Sequence, residues 1–151
     1  LTTENFLAVL SDPAVRIGTS TPGDDPGGDY AFEAFDLIEA RHPGRGEAIR
    51  SRSRQLVGGR NSPPTPPGKG AAYLVTDGVV DLMMSYSSNA RLLAGDPAFN
   101  IVDIPDEFQP LIEYGMVIRM DADAETRELR DFLLSPTGQK ILSEAGFSAI
   151  G

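Results

Sequence analysis

Apolar positions along this chain switch between a helical period and an alternating one. Phe6, Leu7 and Leu10 form a stripe at helical spacing, with Thr3 as the expected N-cap and Glu4 in the first turn. Ser11-Asp12-Pro13 stops that helix. Val15 and Ile17 then alternate with Arg16 and Gly18, a short strand signal. A turn of small and polar residues follows from Thr19 to Gly28. Tyr30, Phe32, Phe35, Leu37 and Ile38 next give a helix with a broad apolar face, from about Asp29 to His42-Pro43-Gly44. A second helix is expected from Gly46 to Val57, with Arg50, Arg52 and Arg54 as a solvated basic face. Gly58 to Gly70 holds four prolines and four glycines in thirteen residues, which forbids regular structure. A short helix is expected at Ala71 to Val75. Val79 to Tyr86 reads as a strand buried on both faces. A helix from Asn89 to Ala94, capped by Ser87 or Ser88, comes next. Strands are expected at Phe99 to Ile104 and Ile112 to Met120. Asp123 opens a helix through Leu134, and Ser135-Pro136 opens another that stops at Gly146.

Strands alternating with helices predict an α/β fold with a mostly parallel sheet. Solutes of such sheets sit outside the carboxyl ends of the strands. Two polar stretches fit that rule: Thr19 to Gly28, with the hydroxyls of Thr19, Ser20 and Thr21, and Tyr86 to Ser88. A strand that turns through glycines into a helix leaves main-chain N–H groups without acceptors at the positive end of the helix dipole. Such a turn is either a tight connection that Gly and Pro merely build, or an anion site whose donors are free at the start of the Asp29 helix.

Composition narrows the function. The 151 residues suffice for one domain or two small lobes. A chain that starts at Leu1 is expected to have lost a signal peptide or an upstream region. A net charge of −9 argues against nucleic acid and anionic membranes as partners. No stretch is apolar enough to span a membrane. Without cysteine there is no disulfide, thiolate metal site or thiol nucleophile. The single histidine, His42, reads as a helix-end residue. Asp24-Asp25 can serve as acid and base, yet such a pair in a turn more often accepts main-chain N–H bonds. No second catalytic partner is in sight, so the chain reads as a binder and not an enzyme. Tyr86 is the tyrosine at a strand end beside hydroxyls, where it is either a half-buried aromatic with a wet tip or a group whose O–H donates to a solute.

Three stretches carry a resemblance. TSTPGDDPGGDYA at Thr19 to Ala31, LMMSYSSNA at Leu82 to Ala90 and LLSPTGQKILSEAGF at Leu133 to Phe147 resemble the periplasmic molybdate-binding proteins and their tungstate-binding relatives. These are type II periplasmic solute-binding proteins that deliver an oxyanion to the membrane permease of an ABC importer. The resemblance implies a periplasmic or extracellular location, no cofactor and no metal. It implies a second lobe at residues 1–110 and, at 111–151, a return strand and closing helices that belong on a first lobe whose N-terminal part is absent. It also implies a ligand set. The Pro-x-Gly turn supplies an N–H, here Gly27 with Gly28 beside it. The turn before the next lobe helix supplies another, near Gly68, although the proline-rich stretch departs from the pattern there. A tyrosine hydroxyl comes from Tyr86. Asp25 matches the carboxylate of tungstate-type relatives, and Ser20 adds a hydroxyl. A different anion (phosphate, thiosulfate or an organic anion) and a sensor domain on the same fold are the alternatives.

Overall fold

A computed structural model describes residues 1–67, 69–148 and 150. The centre of the fold is β1 (Ile17–Ser20), flanked by β2 (Arg54–Val57) on one side and β3 (Leu82–Met83) on the other. Both pairings are parallel, so among the described residues the sheet is three-stranded in the order β2-β1-β3. Gly18 faces Arg54 and Met83 in register. A side chain at Gly18 would lie 2.7 Å from Met83 Sδ and 3.3 Å from Val80, so glycine lets that edge close on β1.

Helices α1 (Phe6–Ser11), α2 (Pro26–Arg41) and α3 (Arg45–Arg52) cover the sheet. Their apolar stripes meet Ile17 in one core of Phe6, Leu10, Ile17, Phe35, Ile38, Ile49 and Phe108. Phe35 and Ile38 are one turn apart on α2 and fully buried, as the 3.6-residue period requires. Burying such a side chain is worth about 1.5–3 kcal/mol. Phe108 arrives from a single 3-10 turn at Asp106–Phe108 and stacks on Phe6. Short helices α4 (Tyr73–Thr76) and α5 (Ser87–Arg91) bracket β3. Helices α6 (Ala124–Leu134) and α7 (Pro136–Glu144) close the chain. The expected caps Asp123 and Ser135 accept N–H bonds from Thr126 and Gly138.

The chain departs from its pattern in several places. The second basic helix ends at Arg52, and Arg54–Val57 is a strand. Ser53 turns extended, and pairing with β1 overrides the helical spacing of Leu56 and Val57. Arg50 and Arg52 are half-buried ties, and Arg54 is exposed while it also bonds a neighbouring loop. Arg50 pairs with Asp36 and lies over the Phe32 ring. Arg52 donates to the carbonyls of Leu10 and Val15, and Arg54 donates to Val79 O at 2.6 Å. The run Val79 to Tyr86 pairs only at Leu82–Met83. Val79 and Val80 instead close the turn after α4 by donating to Leu74 O. Helix α1 starts later than expected, with Asn5 at its N-cap and no side-chain cap bond, so Thr3 does not cap it. Tyr86 precedes α5, and neither Ser87 nor Ser88 caps it. Phe99 to Ile104 and Ile112 to Met120 are not strands. Alternation stabilises a strand only against a neighbouring strand, and these segments have none among the described residues.

Candidate functional site

The turn after β1 is built by its own side chains. Thr21 donates from both its N–H (2.9 Å) and its hydroxyl (3.0 Å) to Val57 O, which ties the end of β1 to the end of β2. Gly23 has φ +79°, a conformation that favours glycine, and its N–H donates to Asp29 at 2.8 Å. Asp24 accepts from the Arg60 N–H at 2.9 Å and from the Arg60 guanidinium at 2.9 and 3.1 Å. The Arg60 N–H, then its guanidinium, hold the Asp24 carboxyl below its ordinary range. Asp24 is thus a strut across the two loops and is not poised as a base.

Helix α2 begins at Pro26, three residues before the expected Asp29, because Asp25 is an extended N-cap and proline suits the first position. Asp25 Oδ1 accepts from the Gly27 N–H at 2.8 Å. The Asp25 carbonyl accepts from the Gly28 N–H at 2.9 Å and the Asp29 N–H at 3.4 Å. The donors expected to be free at this helix start therefore have acceptors within the protein. An aspartate N-cap supplies them itself. The Asp25 carboxylate also packs on Gly58, where φ is +75° and a side chain would collide with it.

Three further groups converge on this point. Measured from where a side chain at Gly27 would begin, Asp25 Oδ1 lies at 3.1 Å, Ser20 Oγ at 3.3 Å and Tyr86 Cε2 at 3.4 Å. Gly28 backs the turn, 2.5 Å by the same measure from the main chain of Thr21 and Pro22. Ser20 ends β1, and Tyr86 follows β3 and precedes α5. Ser20, Asp25, Gly27, Gly28 and Tyr86 are thus neighbours at the carboxyl ends of β1 and β3. Gly68 lies outside the described residues. Burial pushes the Tyr86 phenol above its ordinary range, and the neighbouring Tyr114, Asp25, Tyr30 and Asp29 push it the same way. The phenol is a proton donor throughout the neutral range.

Two aromatic residues of this site escaped the reading of the sequence. Tyr30 sets its ring edge-on to Tyr86, 6.3 Å between centroids at 74°. Tyr114 adds to the push on the Tyr86 phenol and packs edge-on to Phe147. The signal for Tyr30 was its place three residues after Gly27, on the same helix face. Nothing in the spacing pointed to Tyr114. His42 caps the carboxyl end of α2 and leans on Phe108, away from this site. A separate hollow of about 560 Å³ between α5 and α7, lined in part by Ser87, Arg91 and Phe147, includes none of the expected site residues. Among the described residues, no three metal-binding side chains cluster. No helix among them is long and apolar enough to cross a membrane.

The sequence pattern of a family described as "Bacterial extracellular solute-binding protein" matches residues 2–148. This chain belongs to that family. An uncharacterized protein, PM1146, of Pasteurella multocida (strain Pm70) is 38% identical to this solute-binding protein over 146 residues. That alignment covers 95% of this chain and 59% of the relative, so the chain spans less than two thirds of the relative's length.

Proposed function

We propose that this solute-binding protein captures an oxyanion, molybdate or tungstate, outside the cytoplasm and delivers it to the permease of an ABC importer. The observation that carries this reading is the convergence of Ser20 and Tyr86 on the Gly27 turn at the carboxyl ends of β1 and β3. A hydroxyl, a phenol and a helix-start N–H make a donor set for a tetrahedral anion. The Asp25 carboxylate holds the Gly27 N–H at 2.8 Å, and the incoming oxyanion competes for that donor. Gly68 contributes a further N–H in this reading. Residues 1–110 form the second lobe of a larger binding protein, and 111–151 return to a first lobe. In this reading the protein binds and releases its solute unchanged, and the Asp24 carboxylate, paired with Arg60, serves the fold.

Asp25 favours a second reading as well. A fully deprotonated oxyanion is repelled by a carboxylate at the turn, whereas a protonated anion such as hydrogen phosphate can donate to it. Asp25→Asn separates the two. It raises affinity for molybdate if the ligand carries no proton, and it lowers affinity for phosphate if the ligand donates one. Thermal shift with molybdate, tungstate, sulfate and phosphate is the test, since stabilisation grows with the ratio of ligand to Kd. No shift with any of the four refutes the oxyanion reading.

A further inference from the structure

The ring of Tyr86 is held from one side by α2. Gly27 and Tyr30 are three residues apart and share a helix face. Gly27 brings the α2 backbone against Tyr86 Cε2, and Tyr30 meets the same ring edge-on at 6.3 Å and 74°. Both rings are half-buried. Tyr86 itself lies in the short link between β3 and α5, with extended backbone (φ −68°, ψ 146°) and no side-chain cap bond to the helix that follows. A phenol on such a link owes its orientation to what it packs against.

We propose that Tyr30 is a positioning residue: its ring fixes the Tyr86 phenol beside Ser20 and Gly27, and so sets how tightly the site holds an oxyanion. This role rests on the oxyanion reading of the site. An edge-on aromatic pair has the geometry that the ring quadrupoles favour. Its loss leaves Tyr86 to sample other rotamers, so only part of the population meets the ligand correctly. Tyr30 acts through its ring and not its hydroxyl, which separates it from Tyr86.

The test uses the full-length protein, with molybdate as the probe in titration calorimetry. Tyr30→Leu weakens binding about two- to tenfold, the range expected for one aromatic pair. Tyr30→Phe, which keeps the ring, restores the affinity lost in Tyr30→Leu. In a Tyr86→Phe background Tyr30→Leu costs nothing further, because no phenol remains to be positioned. Equal affinity of Tyr30→Leu and wild type overturns the role of Tyr30 alone. So does a loss in Tyr30→Phe as large as in Tyr30→Leu, or an undiminished loss in the Tyr86→Phe background. Where molybdate gives no heat, tungstate, sulfate and phosphate are titrated in turn, and a wild-type protein that takes up none of the four overturns the oxyanion reading and this role with it.

Discussion

The Asp25 carboxylate caps α2 and borders the candidate site. Oδ1 caps α2 through the Gly27 N–H while the other oxygen packs on Gly58. Asp25→Ala removes that cap and is expected to lower unfolding stability by about 1 kcal/mol, measured by chemical denaturation. A second carboxylate works purely for the fold. Asp81 accepts from the Arg16 guanidinium at 2.6 and 3.0 Å and from the Arg16 N–H at 2.7 Å, which lowers its pKa to about 2. A depressed carboxylate stabilises the folded state above its ordinary value of 3.8, and that stability fades as pH falls through about 2. Acid titration of the melting temperature should therefore lose its slope in this window in Asp81→Asn. At this scale Asp25 and Tyr86 were legible because turn chemistry and strand ends are local. The ring partner of Tyr86 was not, since Tyr30 meets it only in the folded chain.

The joint between α2 and α3 shows how one element constrains the next. Glu39 accepts from the Gly44 N–H at 2.6 Å and the Glu47 N–H at 3.0 Å, so α2 caps its successor. These N–H bonds hold the Glu39 carboxyl below its ordinary range. Gly46 packs so closely on α2 that a side chain would collide with Phe35 O and lie 2.6 Å from Glu39. Gly46→Ala is expected to cost about 1–3 kcal/mol by overpacking, read from the denaturation midpoint at unchanged slope. Helices α6 and α7 were legible because their caps and periods agree, and α2 was legible in its period but not in its start, which the Asp25 cap sets at Pro26. Strand β2 was not, because Arg54 to Val57 continues the apolar spacing of α3 and only β1 decides its state. The expected strands at 99–104 and 112–120 failed for the converse reason: alternation was present and a partner strand was not.

On the scale of the whole molecule, apolar surface is unevenly distributed. The core around Ile17 is sealed, yet Leu111, Tyr114, Met116, Val117, Met120, Leu129, Phe132, Leu134 and Ile141 are exposed. Exposed apolar side chains in this number suit a surface that meets another surface, which in the proposed reading is the first lobe. The 151-residue chain should accordingly bind a hydrophobic dye strongly, and a polypeptide of the relative's full length should bind it weakly. The fold class was legible from alternation and length, but a face that awaits a partner looks in sequence like any other buried strand or helix. The most direct measurement is titration calorimetry of the full-length protein with molybdate and tungstate, wild type against Tyr86→Phe. One site filled by either anion, and about ten- to a hundredfold weaker binding without the phenol, is the predicted result. No heat with molybdate, tungstate or phosphate, or binding indifferent to Tyr86→Phe, would contradict an oxyanion site at the ends of β1 and β3.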